Sequence, residues 1–201
     1  MEREHYDFKN CAHSVDFTNP KYVLLNEIGM DCKLKYLGLN GNQLNELPKT
    51  ILAECPHLLH LNLGYNQISQ LDHFAHLRFQ KEKLKTLSIL VLRNNPIRSL
   101  AFRVENSDSN IVDENAPSGE FSGVRSVTNV FTEKLFPNLY ELSLSFCELR
   151  GELPSFPLPQ LTNLEVSMGL KSATKLDADM FRSLKNLEWL ALDHNSLREI
   201  Q

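Results

Sequence analysis

Several features that would point directly to a function are scarce or missing in this 201-residue sequence. Its 21 lysine and arginine residues are outnumbered by 25 aspartate and glutamate residues, so the formal net charge at pH 7 is −4. A chain without a basic excess has no general electrostatic attraction for nucleic acid or for an anionic membrane surface. Its apolar runs are also far shorter than the roughly 18 residues of a membrane span. We therefore expect neither nucleic-acid binding nor membrane insertion by this segment.

Cysteine is scarce as well, with four residues in the chain. Cys11, Cys32, Cys55 and Cys147 show neither a C-x-x-C pair nor the cysteine and histidine spacing of a structural zinc site. A disulfide between Cys11 and Cys32 would close the N-terminal end in an oxidising compartment, whereas four free thiols would fit a reducing one. No asparagine begins an N-x-S/T sequon, which weighs slightly against an extracellular location.

Arrangements of residues for catalysis or metal binding are equally sparse. His57 and His60, and likewise His73 and His76, have a spacing that could bind a metal ion on a helix. The first pair, however, straddles the entry to a predicted strand, and the second lies on a convex segment without a nearby third ligand. The sequence contains no glycine-rich phosphate loop and no G-x-S-x-G motif. We therefore expect no enzymatic activity, no metal and no cofactor.

One pattern is abundant, namely Leu-x-x-Leu-x-Leu-x-x-Asn-x-Leu. Its copies predict strand cores near residues 34–44, 58–68, 87–97, 139–149, 161–170 and 187–197. The alternating leucines predict a short strand with one buried face, and the asparagine can bond backbone groups where the chain turns away. Because one coil cannot bury its own leucines, the coils must stack. This predicts an α/β repeat solenoid with a short-stranded parallel sheet along one side.

The pattern resembles the leucine-rich repeat family, and the resemblance covers the chain from Leu34 onward. It implies a horseshoe whose parallel sheet lines the concave face, and it implies recognition of a protein ligand. The longer form from Phe181 to Leu197 resembles the class common in animal extracellular and receptor proteins. Cys147 takes the turn position in the fourth copy, where the family tolerates cysteine, and Gly169 takes it in the fifth. We expect a structural role for Cys147.

Two segments depart from the repeat. Residues 1–33 are a candidate N-terminal cap, and a polar insertion at about 101–123 separates the third copy from the fourth. The insertion is acidic and rich in turn formers, which predicts a mobile surface excursion that either contacts a partner or is merely tolerated. A degenerate coil built on Val124, Val127 and Val130 is an alternative. No polar coil follows the last leucines, so we expect the natural protein to continue.

The residues between the leucines point away from the core and form the candidate binding surface. Tyrosine, tryptophan and other large side chains at such positions have no duty in the core and are enriched at binding hot spots. The predicted partner-binding residues are Tyr36, His60, Tyr65, Glu141, Phe146, Trp189 and Asp193.

These observations favour a non-enzymatic protein-recognition domain of an extracellular or cell-surface receptor or adhesion protein. One alternative is an intracellular scaffold or regulatory subunit, which the charged N-terminal start and the lack of sequons favour. Another is the targeting arm of an enzyme whose catalytic part is encoded elsewhere.

Overall fold

In a computed structural model of the chain, the described residues are 14–16, 34–47, 52, 55–77, 84–103, 127–150, 155–171, 175–176, 178–197 and 199–200. Seven three-residue strands form one parallel sheet: β1 (Ser14–Asp16), β2 (Tyr36–Gly38), β3 (His60–Asn62), β4 (Ile89–Val91), β7 (Glu141–Ser143), β8 (Asn163–Glu165) and β10 (Trp189–Ala191). Two smaller sheets pair β5 (Ala101–Arg103) with β6 (Val127–Asn129), and β9 (Lys175–Leu176) with β11 (Glu199–Ile200). The helices described are α1 (Asp72–Leu77) and a 3-10 turn at Ala178–Met180.

The large sheet confirms the predicted repeat solenoid. From β2 to β10, each strand pairs with the next residue for residue, so that the central leucines are neighbours across the sheet. These leucines are fully buried from Leu37 to Leu164, because their side chains point into the interior of the coil. Leu190 in the edge strand β10 is 40% exposed. The first and third residues of each strand therefore form the concave face.

Phenylalanines fill the part of the core contributed by the segments between strands. Phe74 of α1 meets Phe136 edge to face, with ring centroids 5.3 Å apart. Phe131 packs between Phe136 and Phe156, with centroid distances of 5.6 and 6.5 Å. All four side chains are buried, and each contributes on the order of 2–3 kcal/mol through removal from water. Contacts between neighbouring coils thus stabilise the stack on the side away from the sheet.

The sheet extends one strand beyond the predicted repeats. Ser14–Asp16 pairs in parallel with β2, with Val15 opposite Leu37. This strand lies within the segment expected to be a cap, and a single apolar residue between two polar ones is too short a pattern to predict a strand. Cys11 and Cys32, the candidate disulfide partners, lie outside the described residues.

The interval between the third and fourth repeats adds no strand to the large sheet among the described residues, because β4 pairs directly with β7. Instead, β5 and β6 run antiparallel, with Ala101 opposite Asn129. The predicted insertion therefore begins in a strand. Val127, which the alternative placed in a degenerate coil, belongs to this antiparallel pair. Residues 104–126 lie outside the described part of the chain.

Candidate functional site

The asparagine turns hold the strand ends that present the concave face. The Nδ2 atom of Asn66 donates to the carbonyl of Leu63 in its own coil and to that of Leu39 in the preceding coil, both at 2.9 Å. Its Oδ1 atom accepts from the backbone N–H of Leu44 at 3.1 Å. Its Nδ2 atom also lies 3.1 Å from the carbonyl oxygen of Gly64. One amide side chain therefore joins two coils through four backbone groups. Asn95 and Asn195 make equivalent bonds to Leu63, Leu92 and Ile68, and to Val166, Leu192 and Leu170.

Cys147 occupies the same turn position but satisfies fewer groups. Its Sγ atom lies 3.6 Å from the carbonyl of Leu92. It accepts no bond from the N–H of Ile97, which instead donates to the carbonyl of Asn95 at 2.8 Å. Burial raises the pKa of the Cys147 thiol to about 12. The thiol is therefore protonated at neutral pH, in agreement with the structural role expected for it.

Gly169 fills the turn position without any side chain. Its own carbonyl accepts from the N–H of Leu149 at 2.9 Å, and its N–H donates to the carbonyl of Val166 at 3.1 Å. A Cβ atom added here would lie only 2.9 Å from the carbonyl oxygen of Leu144. The backbone has moved into the space that an asparagine side chain occupies in other coils.

The residue before each turn position has a left-handed backbone. The φ angles are 55° at Tyr65, 56° at Asn94, 59° at Phe146, 53° at Met168 and 58° at His194. Such a conformation costs a residue other than glycine about 1–2 kcal/mol. In four of these residues the backbone N–H donates to a carbonyl of the next coil: Tyr65 to Arg93, Asn94 to Ser145, Phe146 to Ser167 and Met168 to Asp193.

This backbone turn directs large side chains into solvent at the C-terminal ends of the strands. Tyr65 is 52% exposed, Phe146 48% and Met168 42%. The guanidinium of Arg93 lies over the Tyr65 ring, 5.4 Å from its centroid. Tyr65 and Phe146 were predicted as binding residues, whereas Met168 was missed. Its position in the same row was the available signal.

Two other predicted residues, Tyr36 and His60, meet on β2 and β3. Their rings lie edge to face with centroids 4.5 Å apart, and both side chains are half-buried. The Nε2 atom of His60 is buried and has no hydrogen-bond partner among the described residues. Burial lowers the pKa of His60, because the charged imidazolium is less well solvated there.

Acidic side chains occupy the other end of the face. Burial raises the pKa of Glu141, and the charge of Glu165 on the next strand raises it further. The Oε2 atom of Glu165 accepts a hydrogen bond from Ser143 at 2.9 Å. These contacts bring together two carboxylates, of which the sequence pattern singled out only Glu141.

Asp193 is the third carboxylate in this region. It accepts a hydrogen bond from the Ser167 hydroxyl and lies 2.9 Å from Nδ1 of His194. These two bonds lower the pKa of Asp193, with Ser167 making the larger contribution. Asp193 is thus held in its ionised form.

The seven predicted binding residues fall into separate groups. Tyr36 and His60 lie on β2 and β3, with Tyr65 at the end of β3, while the other four lie on or just after β7 and β10. Ile89 and Val91 of β4 stand between the two ends of the face. The described residues contain no group of three or more potential metal ligands, and no helix among them is long and apolar enough to cross a membrane.

Comparisons with known proteins agree with this architecture. Two models described as leucine-rich repeat match residues 32–79 and 138–158. The solved TLR13–ssRNA13 complex has 25% identity and a TM-score of 0.52, and the match covers 80% of this chain and 19% of that one. The chain therefore spans about a fifth of the TLR13 chain. A search of curated proteins finds no match.

Two further solved structures are more distant. The leucine-rich repeat domain of APL1 has 17% identity and a TM-score of 0.35, with 80% of this chain and 43% of that chain covered. An internalin from Listeria monocytogenes has 16% identity and a TM-score of 0.37, with 84% and 50% covered. Neither is similar enough to carry an argument about function.

Stacked coils, a parallel sheet with one leucine from each strand in the core, and a bonded turn after each strand define a repeat solenoid. Together with the matching repeat models, they show that the chain contains leucine-rich repeats. Domains built from such repeats are typically protein-interaction modules. Since the TLR13 structure is a complex with an RNA, the comparison does not support the expectation that nucleic acid is excluded.

Proposed function

We propose that this domain recognises a protein ligand on its concave face, without a catalytic step of its own, as part of a cell-surface or extracellular receptor or adhesion protein. The observation that carries the proposal is the exposure of Trp189, Tyr65 and Phe146, which are 59%, 52% and 48% exposed. Large aromatic side chains held outside the core by a rigid backbone are the usual anchors of protein interfaces.

The distribution of exposed apolar side chains supports this choice of face. Seven large hydrophobic residues are exposed among the described residues. Four of them, Tyr65, Phe146, Met168 and Trp189, lie on the strands of the large sheet or directly after them, on the concave side. Among the described residues of the opposite side, Phe74, Phe131, Phe136 and Phe156 are buried and Phe181 is partly buried, so the described part of that side offers fewer apolar anchors.

The charges on the face favour a protein over a nucleic acid. Glu141, Glu165 and Asp193 lie where a phosphate backbone would approach the strands, and carboxylates repel phosphates. A single-stranded RNA, the ligand class in the TLR13 structure, is therefore the less favoured partner. Single-stranded RNA is therefore included as a separate candidate ligand in each binding test.

Photocross-linking tests the proposal while the ligand is still unidentified. p-Benzoylphenylalanine replaces Trp189 or Tyr65 in separate variants, and Tyr140 in a control. Tyr140 is a matched aromatic because it is 42% exposed, yet it lies before β7 and occupies neither the first nor the third position of a strand. We expect specific protein adducts from positions 189 and 65 but none from position 140.

The source of the adducts distinguishes the receptor from the intracellular scaffold. The variants are applied in parallel to intact cells and to cytosolic extract. Adducts with surface proteins would support the receptor, and adducts formed only in the extract would support the scaffold. Adducts from position 140 alone, or recovery of RNA instead of protein, would refute recognition of a protein on the concave face.

Once a ligand is identified, truncation of the anchors provides the quantitative test. Trp189→Ala or Tyr65→Ala should weaken binding by about 2 kcal/mol. Both side chains are more than half exposed, so the melting transition should barely move. Tyr140→Ala and Lys185→Ala should leave the affinity unchanged. Loss of binding in the controls together with retention in the anchor variants would contradict the assignment.

A further inference from the structure

The concave face formed by β7, β8 and β10 is an unpartnered sheet surface with a regular arrangement of charge. Glu141 is the first residue of β7, Glu165 the third residue of β8, and Asp193 follows β10 by two positions. Each step moves one strand across and two residues along the sheet. With strands about 4.8 Å apart and about 3.3 Å per residue, the Cα atoms of neighbouring acidic residues are separated by roughly 8 Å. The three carboxylates therefore form a diagonal line.

Among the described residues, no lysine or arginine side chain neutralises this line. Neither residue type occurs at the concave positions of these three coils. Within the described ranges, the ion pairs of carboxylates join Glu148 to Arg98 and Arg150, Asp179 to Arg182, and Asp193 to His194. Glu141 and Glu165 take part in none of them. Burial raises the pKa of Glu141, and repulsion from Glu165 raises it further; a cation from outside the chain would relieve that repulsion.

Apolar side chains flank the acidic diagonal on both sides. Trp189 is the first residue of β10, so it lies at one corner of the surface beside Asn163 of β8. Phe146 and Met168 lie at the opposite corner, after the ends of β7 and β8. There the backbone N–H of Phe146 donates to the carbonyl of Ser167, the residue before Met168. All three are more than two-fifths exposed. A ligand lying on the diagonal would therefore have a charged centre and apolar edges beneath it.

We propose that the partner docks an extended segment with lysine or arginine at two alternate positions and apolar residues at the alternate positions on either side of them. Because successive side chains of an extended chain point to opposite sides, these residues all face the sheet, about 6.6–6.8 Å apart. The two cations would pair with Glu141 and Glu165, and the apolar residues would contact the exposed side chains of Trp189, Phe146 and Met168. The proposal rests on the proposed function, because it names the chemistry of the ligand for the same face.

Fluorescence anisotropy with synthetic probes tests the charge and the apolar component separately. The main probe, the arginine–leucine peptide, is fluorescein-labelled and reads leucine, arginine, arginine, leucine at alternate positions, with serine between them. A peptide with serine in place of the leucines keeps the charge without the apolar groups. A glutamate–leucine peptide, with glutamate in place of the arginines, reverses the charge, and an oligouridylate represents single-stranded RNA. We expect the arginine–leucine peptide to bind best, with an affinity that falls as salt rises.

Isosteric substitutions locate the binding. Glu141→Gln and Glu165→Gln should each weaken binding of the arginine–leucine peptide by about tenfold. Glu148→Gln is the matched control, because Glu148 already pairs with Arg98 and lies after the turn at Cys147; it should bind as the wild type does. Circular dichroism and a thermal melt confirm that each variant is folded. Equal affinity in all variants, no binding of the peptide, or tighter binding of the glutamate–leucine peptide or the RNA would overturn the proposal.

Competition separates this inference from the proposed function. Excess arginine–leucine peptide is added during photocross-linking from position 189. If the peptide abolishes the protein adducts, the result supports both recognition of a protein on the concave face and docking of a basic segment there. Protein adducts that persist unchanged refute the basic segment but leave recognition on the concave face intact, whereas a lack of protein adducts from positions 65 and 189 refutes the proposed function itself.

Discussion

The backbone groups at the turns are bonded in two ways. The turns after β3, β4 and β10 form one group, and the turns after β7 and β8 form the other. In the first group, Asn66, Asn95 and Asn195 use a side-chain amide to bond backbone groups of two coils. In the second group, Cys147 bonds one carbonyl, and the backbone of Gly169 replaces the side chain altogether. The comparison teaches that the turn requires bonded backbone groups and does not require asparagine itself.

The residue before the turn position has the same backbone conformation in both groups of turns. Tyr65 and Asn94 precede asparagine turns, and Phe146 and Met168 precede the substituted ones, yet all four have φ angles between 53° and 59°. The bonds between coils that hold this conformation run through the backbone, so they do not depend on the side chain at the turn. The backbone that exposes Tyr65, Phe146 and Met168 therefore tolerates different residues at the turn position that follows.

The largest expected effect comes from removal of an asparagine. Asn95 is 2% exposed, and Asn95→Ala would leave the buried N–H of Ile68 without its partner. It would also remove the bonds to the carbonyls of Leu63 and Leu92, although Leu63 keeps its bond from Asn66. An unsatisfied buried group costs about 1–3 kcal/mol and each lost bond adds to it, so we expect the free energy of unfolding to fall by about 3 kcal/mol. Urea denaturation measures it. Asn138→Ala removes one exposed bond to Lys85 and should change stability little; equal losses would contradict the role of the turn.

Addition of a methyl group at Gly169 should have the next largest effect. In Gly169→Ala, the new Cβ would meet two carbonyl oxygens, Leu144 at 2.9 Å and Val166 at 3.0 Å. Backbone atoms cannot move aside cheaply, so we expect a loss of about 1–3 kcal/mol in thermal or urea denaturation. The control is Gly64→Ala, whose Cβ would first meet the Arg93 and Asn62 side chains at 3.3 Å. A larger loss at Gly64 would show that backbone approach is not what Gly169 provides.

Cys147 should matter less than either. Cys147→Ala removes a weak sulfur hydrogen bond and a small buried volume, but the N–H of Ile97 keeps its bond to Asn95. We expect a loss of about 1 kcal/mol. Parallel urea denaturation of Cys147→Ala and Asn95→Ala compares the two types of turn directly. A loss at Cys147 as large as that at Asn95 would mean that the thiol does more than occupy space.

The smallest expected effect is on the pH dependence of stability, and it concerns His60 on the concave face, whose Nε2 atom has no hydrogen-bond partner among the described residues. Because the pKa of folded His60 is lowered from 6.5, the unfolded chain takes up a proton first as pH falls. Stability should therefore decrease as pH drops below about 6.5 and level off below the folded pKa. His60→Gln should flatten this part of the pH profile of the melting temperature by about a degree or two. An unchanged profile would show that His60 does not contribute to it.

Sequence periodicity predicted the repeated part of the fold well, for a local reason. The leucine spacing reports both the strand and its buried face, so the first residue of each strand from β2 to β10 in the large sheet coincides with the third position of a repeat. The short strand β1 lacked that signal, since Val15 is its sole apolar residue. The antiparallel pair of β5 and β6 depends on contacts across a long interval, which no local pattern reports.

The candidate site was less accessible to sequence reasoning. The pattern placed Tyr65, Phe146 and Trp189 outside the core, but it did not predict the left-handed backbone that exposes the first two. The backbone N–H groups of Tyr65 and Phe146 bond to the next coil, a contact that the local pattern does not report. The pairing of Tyr36 with His60 and of Glu141 with Glu165 likewise depends on register between strands. The role of these residues in binding stays a prediction.

The direct pairing of β4 with β7 also bears on how the protein folds. The bond from Asn66 to Leu39 joins residues 27 positions apart, whereas the bond from Cys147 to Leu92 joins residues 55 apart. Doubling the length of a loop adds only about 0.6 kcal/mol to the entropic cost of closing it. Coils on either side of the interval can thus form from short-range contacts first, and the step that unites them becomes the slow one. Shortening the interval would then accelerate folding with little change in native stability.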